Sequence, residues 1–222
     1  IGSAAVQQLQ RTLAGTVHHP NVAGYVILSL GCEVNQPVDM IAATALGDDA
    51  PLVITIQEDG GLAKTVEQGV EAVLRLLPLA NRAKREPVAA SELVLALQCG
   101  GSDGWSGVTA NPGLGKACDL LVRQGGTVVL GETTEIYGAE HLLTRRAANK
   151  EVGEKLVGII KWWEDYTRRN NMEMNNNPSP GNKLGGLTTI LEKSLGAAAK
   201  GGTTTMQAVY NYAEPVTAKG FV

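Results

Sequence analysis

The chain has 222 residues, of which 44% are hydrophobic and 18% are charged, and its formal net charge is −3. This composition predicts a globular protein of one large or two small domains and argues against a disordered chain. The lack of a basic cluster argues against nucleic acid as a partner, and the lack of an apolar run of about 18 residues argues against a membrane span.

The cysteines and the two ends of the sequence indicate its setting. Three widely spaced cysteines and no visible signal peptide predict reduced thiols and a cytoplasmic location. The sequence starts with IGSAAV, without Met, and stops at the apolar residues GFV. We expect both ends to be cuts in a longer polypeptide; a processed mature chain is the alternative.

Four short apolar runs are predicted to be buried strands. They are Tyr25–Leu30, Leu52–Ile56, Leu93–Leu97 and Thr127–Leu130. Continuous rather than alternating hydrophobicity is typical of parallel strands that helices cover on both faces. Helical patterns lie between these runs, so we predict an α/β fold with an open, mainly parallel sheet of about four or five strands. Helices on both faces would make it a Rossmann-like three-layer fold.

The helical segments follow from apolar spacing and from capping residues. Asn111-Pro112 predicts a helix start, with Asn111 as the N-cap, and Glu151–Arg169 carries the clearest amphipathic stripe. Beyond Arg169 the pattern weakens, although one further helix fits Leu187–Ala199. We predict an α/β domain over residues 1–169. Residues 170–222 would form an Asn/Gly-rich loop, a helix and an irregular C-terminal extension that pack on the same domain.

Polar residues gather directly after each predicted strand, in GCEVNQP, QEDGG, QCGGSDGWSGVTANP and GETTEIYGAEH. The carboxyl ends of parallel strands meet at one edge of a sheet, which is where open α/β sheets bind ligands. We therefore expect a site at this edge. Its polar side chains are Cys32, Glu33, Asn35, Glu58, Asp59, Cys99, Ser102, Asp103, Asn111, Glu132, Glu135, Glu140 and His141.

Taken alone, these residue types leave their roles open. Cys32 and Cys99 could share a metal ion, or they could be small buried thiols at strand ends. His141 could act as a base, an acid or a ligand, or it could be a surface or capping residue. Cys118 lies within a helical pattern and is expected in the core. The Gly-rich loop after the third strand matches no nucleotide-binding fingerprint.

Several long strings identify a family resemblance. They are LGCEVNQ, QCGGSDGWSGVTANP, GETTEIYGAEHLLTRRA, EMNNNPSPGNKLGGLTTILEKSLGAAAKGGT and YAEPVTAKGF. Together they resemble the altronate dehydratase/galactarate dehydratase family of sugar-acid dehydratases, across nearly the whole chain. The family chain is roughly twice this length and continues on both sides, so the resemblance implies a central fragment whose partners include the missing N- and C-terminal parts.

The resemblance implies a metal-dependent hydro-lyase that converts an altronate- or galactarate-type sugar acid into a 2-keto-3-deoxy acid. The metal would be iron, as Fe2+ or an iron–sulfur cluster, with Cys32 and Cys99 as ligands. The expected acid and base residues are Glu33, Asp103 and His141. The expected substrate-binding residues are Asn35, Ser102, Asn111, Asn175, Asn176, Asn177 and Lys183. Lys193 is a further candidate, although solvent exposure on its helix is the alternative.

Other functions stay open at this point. The family includes a sulfolactate sulfo-lyase, so carbon–sulfur cleavage is a second enzymatic hypothesis. A fragment without a complete site would instead be a non-catalytic binding or assembly module. A homo-oligomer is also open. The segment MNNNPSPGNK, from Met174 to Lys183, is expected to be an ordered loop near the substrate, with a mobile linker as the alternative.

Overall fold

The computed structural model describes residues 3–44 and 51–222, which form two compact units. Unit 1 runs to Glu86 and includes Tyr212–Pro215, while unit 2 consists of Pro87–Asn211 and Val216–Val222. Ile1 and Gly2, which begin the expected cut end, lie outside the described residues. Within the described ranges, no helix is long and apolar enough to cross a membrane.

Unit 1 contains a two-stranded parallel sheet flanked by helices. Its elements are α1 (Ala4–Val17), β1 (Val26–Ser29), α2 (Pro37–Thr44), β2 (Leu52–Thr55) and α3 (Leu62–Ala80). The strands pair in register, with Ile27 opposite Val53 and Leu28 opposite Ile54. Helix α3 packs against both strands, and α1 packs against α2. The pairing of β1 with β2 therefore anchors the start of the loop that follows β1.

Unit 2 contains a three-stranded parallel sheet in the order β3-β4-β5. Its elements are β3 (Val94–Leu97), α4 (Ala110–Arg123), β4 (Thr127–Leu130), α5 (His141–Thr144), α6 (Lys150–Arg169), α7 (Pro180–Leu184), α8 (Ile190–Lys200) and β5 (Gly220–Phe221). Short 3-10 turns occupy Ala90–Glu92, Thr134–Ile136 and Met174–Asn176. Strand β4 lies in the centre, so its carboxyl end is flanked by β3 and β5.

The core of unit 2 is mostly aliphatic, as a sequence with a single Phe requires. The single Phe is Phe221, which is fully buried, as is Val128. Cys118 packs in the same cluster. The guanidinium of Arg146 lies 4.4 Å from the centre of the Phe221 ring. The predicted core position of Cys118 is confirmed, and burial raises the pKa of its thiol.

The predicted α/β class and the parallel strands are confirmed, but the strands form two sheets instead of one. A run of apolar residues predicts a strand and does not identify the strand with which it pairs. The predicted burial is also wrong in part, because Leu28 of β1 and Val94 of β3 are exposed. Along the chain, the boundary between the two units falls between residues 86 and 87. The boundary predicted from the sequence was at residue 169. Most of residues 170–222 do share a unit with the sheet of β3, β4 and β5.

The predicted N-cap at Asn111 is wrong, because α4 begins at Ala110 and Thr109 occupies the cap position. The turn before it is already hydrogen-bonded, with the Thr109 amide donating to the Trp105 carbonyl at 3.1 Å. Asn111 is consequently inside the first turn and buried. A Cβ placed on Gly196 would lie 3.0 Å from the Asn111 side-chain nitrogen, so Asn111 faces α8.

Helices α4 and α8 approach each other closely at glycine positions. A Cβ added to Gly115 would lie 2.2 Å from the carbonyl oxygen of Ala199, well inside van der Waals contact. A Cβ on Gly196 would likewise lie 3.0 Å from the Cα of Gly107. The position of α8, and of every side chain that it carries, therefore depends on small residues on α4 and in the loop before it.

Replacing Gly115 with alanine should destabilise unit 2 by about 2–3 kcal/mol, because the added methyl group overlaps a backbone oxygen that cannot rotate away. Gly113→Ala is the matched control in the same helix, since nothing lies within 4 Å of its added Cβ. That control should gain up to about 1 kcal/mol from higher helix propensity. Urea unfolding followed by tryptophan fluorescence measures both, and equal effects would contradict the close approach.

Candidate functional site

The loop after β1 is shaped by the carboxylate of Glu33. Its Oε1 accepts hydrogen bonds from the Ser29 hydroxyl at 2.8 Å and the Leu30 amide at 2.9 Å, and its Oε2 accepts from the Gly31 amide at 2.6 Å. Backbone hydrogen bonding and the Ser29 hydroxyl lower the pKa of Glu33 to about 2. A carboxylate of such low basicity is a weak proton acceptor at neutral pH. The geometry thus gives Glu33 a structural task in this loop.

Two other predicted residues of unit 1 lie in the same loop. Cys32 is exposed, and its sulfur accepts a long hydrogen bond of 3.5 Å from the Gln57 side chain. Asn35 is half-buried and accepts a hydrogen bond of 3.1 Å from the Gln10 side chain. The loops after β1 and β2 therefore do meet at the carboxyl end of this small sheet, as parallel pairing predicts.

In unit 2, the loop after β3 is held by its own polar side chains. The Cys99 sulfur lies 2.9 Å from the Ser102 hydroxyl. Asp103 is exposed, and its Oδ1 accepts hydrogen bonds from the amides of Trp105 and Ser106 at 2.8 and 2.7 Å. That carboxylate oxygen therefore closes a turn ahead of α4.

The Asn-rich segment from Met174 to Lys183 is ordered by side-chain hydrogen bonds. Asn175 accepts from the Ile190 amide at 3.0 Å, where α8 begins. Ser179 and Asn182 form a capping box that starts α7. Asn176 and Lys183 are exposed. These contacts agree with the expected ordered loop, while its nearness to a substrate stays a prediction.

Lys193, which the sequence left as either a helper or a solvated residue, is buried with 7% of its surface exposed. Its ammonium donates to the side-chain oxygen of Asn177 at 2.6 Å and to that of Asn182 at 3.3 Å. Asn177 in turn donates to Glu135 at 3.3 Å, and Asn182 donates to the Ser102 carbonyl at 2.9 Å. One ammonium group therefore connects α8, the Asn-rich segment and the loops after β3 and β4.

A buried ion pair lies at the carboxyl end of β4. Glu132 is 1% exposed and Lys200 is 5% exposed, and the Lys200 ammonium donates to Oε1 of Glu132. The other carboxylate oxygen, Oε2, is buried and has no hydrogen-bond partner among the described residues. Burial raises the pKa of Glu132, and Lys200 and Lys193 partly offset that rise while Glu135 adds to it.

The remaining predicted residues of unit 2 lie at different depths. His141 is exposed at the start of α5, and no hydrogen bond engages its imidazole in the part of the chain that the structure describes. Asn111 is buried between α4 and α8. The acid, base and substrate-binding roles of these residues stay predictions.

The two predicted metal ligands belong to different units, Cys32 to unit 1 and Cys99 to unit 2. The side-chain hydrogen-bond partner of Cys32 is Gln57 and that of Cys99 is Ser102, and neither is a His, Cys, Asp or Glu. Over residues 3–44 and 51–222, no group of three or more His, Cys, Asp and Glu side chains is arranged to hold a metal ion. The described residues of either unit therefore do not fit a complete iron site.

Among the predicted residues of unit 2, the structure thus brings Asn177 into contact with Lys193, and it connects the Ser102 carbonyl to Lys193 through Asn182. Sequence reasoning did not assign roles to Asn182, Glu132 or Lys200. One signal was present: Ile190, Lys193, Ala197 and Lys200 are spaced by three, four and three residues, which places both lysines on the apolar face of α8.

Replacing Glu33 with glutamine should loosen the loop after β1, because an amide holds three donors less well than a carboxylate. The lowered pKa of Glu33 means that its carboxylate stabilises the loop fully above pH about 4.5. This stabilisation is lost as the pH falls towards 2. Hydrogen–deuterium exchange at Leu30 and Gly31, compared with the unchanged protein at each pH, measures this. Glu58→Gln, in the exposed loop after β2, is the control and should change neither amide. A constant difference down to pH 2 would contradict the assignment.

Comparison with known proteins agrees with the division into two units. The family model described as "D-galactarate dehydratase/Altronate hydrolase, second domain" matches residues 1–81. The model described as "D-galactarate/Altronate dehydratase, C-terminal" matches residues 90–222. The unmatched residues between the two models contain the unit boundary at residues 86 and 87.

Three relatives show how far the similarity extends. Galactarate dehydratase (L-threo-forming) of Escherichia coli is 40% identical over 219 residues, which cover 96% of this chain and 42% of the relative. Altronate dehydratase of Bacillus subtilis is 40% identical over 96% of this chain and 43% of its own length. The (2R)-sulfolactate sulfo-lyase subunit beta of Chromohalobacter salexigens is 36% identical over 95% of this chain and 54% of its own length.

The chain therefore spans somewhat under half the length of the dehydratases that it matches. One family model alone accounts for residues 90–222, more than half of the sequence, and the second model accounts for most of the rest. This chain belongs to the galactarate/altronate dehydratase family.

Proposed function

We propose that the full-length protein is a hydro-lyase that dehydrates a sugar acid of the galactarate or altronate type to a 2-keto-3-deoxy acid. Relatives named as dehydratases match both units at 40% identity, which supports this class of reaction. The observation that carries the proposal is the convergence of Lys193, Asn177, Asn182 and the Glu132–Lys200 pair in unit 2. This cluster contains both hydrogen-bond donors and hydrogen-bond acceptors, which suit a ligand that has hydroxyls and carboxylates.

The chemistry breaks two bonds on neighbouring carbons. A base removes the proton on the carbon next to the carboxylate, and the hydroxyl on the following carbon leaves as water after an acid protonates it. The resulting enol rearranges to the 2-keto-3-deoxy acid. The negative charge that develops on the carboxylate oxygens needs a nearby positive group, and a buried cation in a low-dielectric site supplies more stabilisation than a solvated one.

Among the three expected acid–base residues, His141 is the best placed to exchange protons. Its imidazole is exposed and makes no hydrogen bond among the described residues, whereas Glu33 and Asp103 use their carboxylates to hold backbone amides. We therefore propose His141 as the acid or base and retain Glu33 and Asp103 as alternatives. Asn35, Asn111, Asn175, Asn176 and Lys183 stay proposed substrate contacts.

An iron cofactor, a cytoplasmic location and a homo-oligomer also stay predictions. Because the described residues of neither unit complete an iron site, no step of the reaction is assigned to a metal. A sulfo-lyase activity is the second candidate, and the sulfolactate sulfo-lyase relative supports it at 36% identity.

Purified full-length protein incubated separately with galactarate, altronate and sulfolactate tests the proposal. We expect a 2-keto-3-deoxy acid, detected as its semicarbazone, from at least one of the two sugar acids. Sulfite release from sulfolactate alone would support the sulfo-lyase. Binding of an acid without turnover of any would support a non-catalytic binding module and contradict the proposed dehydratase.

Cys99→Ser and Cys32→Ser test the two proposed metal ligands. Each should lower iron content and activity by at least about tenfold, since loss of a thiolate ligand weakens metal binding more than loss of an outer-shell partner, which alone costs about 10- to 100-fold. Cys118→Ala is the matched control, because Cys118 is buried in the core and should affect stability alone. Full iron content and activity in both serine variants would remove the two cysteines from the metal site.

A further inference from the structure

The ammonium of Lys193 has more donors than the protein uses. An ammonium carries three N–H groups. Two hydrogen bonds engage it, to the side-chain oxygens of Asn177 and Asn182, so one N–H is left over among the described residues. Burying an ammonium costs several kcal/mol unless its charge and all of its donors are matched. Lys193 is therefore partly satisfied in a position where full satisfaction is expected.

The orientation of both amides that hold Lys193 is fixed by further hydrogen bonds. The Asn177 nitrogen donates to Oε1 of Glu135, and the Asn182 nitrogen donates to the Ser102 carbonyl. The oxygen of Asn182 also accepts from the amide and the hydroxyl of Ser179. Each amide must then present its oxygen to Lys193, because a flipped amide would lose these hydrogen bonds. Both acceptors are neutral amides, so neither carries a charge that offsets that of the ammonium. The ammonium thus keeps its positive charge available to an anion.

A complementary acceptor lies in the same buried cluster. Glu132 uses Oε1 for the Lys200 ammonium, and its buried Oε2 has no partner among residues 3–44 and 51–222. Lys193 is close enough to Glu132 to favour its ionised form. An unpaired buried carboxylate oxygen costs at least about 1–3 kcal/mol, so this atom also calls for a donor. The cluster consequently offers one unused donor and one unused acceptor.

We propose that Lys193 and Glu132 form a recognition site for a hydroxy-carboxylate, in which the free N–H of Lys193 donates to the carboxylate and Oε2 of Glu132 accepts from a neighbouring hydroxyl. This inference rests on the proposed function and names the part of the sugar acid that each residue binds. Asn177 and Asn182, which hold Lys193, are half-buried.

The number of free donors favours this ligand over a phosphate. The cluster contains two lysines and two glutamates, Lys193, Lys200, Glu132 and Glu135, so their formal charges cancel. A phosphate dianion would need several donors, whereas one N–H beside a carboxylate acceptor suits a single carboxylate group with a neighbouring hydroxyl. A sugar acid places these two groups on adjacent carbons.

The alternative is a purely structural role, called a clasp below, in which Lys193 only holds the Asn-rich segment against α8 through hydrogen bonds. A clasp predicts lost stability when Lys193 is replaced and no effect that depends on the functional groups of the ligand. The test therefore uses three six-carbon ligands: galactarate has hydroxyls and carboxylates, adipate has carboxylates alone, and galactitol has hydroxyls alone. Binding to the full-length protein is measured by calorimetry, with turnover of galactarate in parallel.

The variant Lys193→Met should weaken both galactarate and adipate by roughly 10- to 100-fold, the range for a hydrogen bond to a charged group, and leave galactitol unchanged. Glu132→Gln should weaken galactarate by a similar factor and leave adipate unchanged, because adipate has no hydroxyl. Lys116→Met and Glu151→Gln, at exposed positions of α4 and α6, are the matched controls and should bind all three ligands normally. Thermal melting of every variant separates binding effects from unfolding.

A second measurement avoids the variants altogether, in case Lys193→Met or Glu132→Gln fails to fold. Galactarate added to the unchanged protein should slow hydrogen–deuterium exchange over residues 175–183 and 190–196. Equal affinity of Lys193→Met and the parent for galactarate, or no protection of these segments while turnover proceeds, would overturn the site. No turnover and no binding of any acid by the unchanged protein would instead overturn the proposed function.

Discussion

A buried ammonium group needs acceptors from several directions, and in this protein that need organises the polar part of unit 2. Lys193 takes its acceptors from both ends of an Asn-rich segment, through Asn177 and Asn182, and those amides reach back to the loops after β3 and β4. A segment whose composition is typical of a flexible linker becomes ordered because its amides satisfy a charge that water cannot reach.

The position of that charge depends on the close packing of two helices at glycine residues. Gly115 and Gly196 allow α4 and α8 to approach so closely that added methyl groups would meet backbone atoms, which fixes α8 against α4 and the loop before it. Lys200, near the end of the same helix, is paired with Glu132 at the carboxyl end of β4. Small residues on one helix thus determine where two lysines of its neighbour lie.

The four strands were predicted correctly because short aliphatic runs favour extended backbone. Their burial on both faces was predicted wrongly for β1 and β3, where Leu28 is 59% and Val94 is 64% exposed. Sequence reasoning did not find the division into two sheets, since apolar character says nothing about pairing partners. The loops after the strands were predicted as the site, and Ser102 and Asn177 do contact the central cluster. Lys193 was left between two roles because a lysine on a helix is usually solvated, although its spacing from Ile190 and Ala197 placed it on the apolar face.

The central claim is that Lys193 and Glu132 hold the carboxylate and the hydroxyl of a sugar acid, and a crystal structure of the full-length protein with galactarate tests it most directly. The account predicts a carboxylate oxygen within about 3.2 Å of the Lys193 nitrogen and a hydroxyl within a similar distance of Oε2 of Glu132. Galactarate bound elsewhere, with Lys193 contacting Asn177 and Asn182 alone, would contradict it.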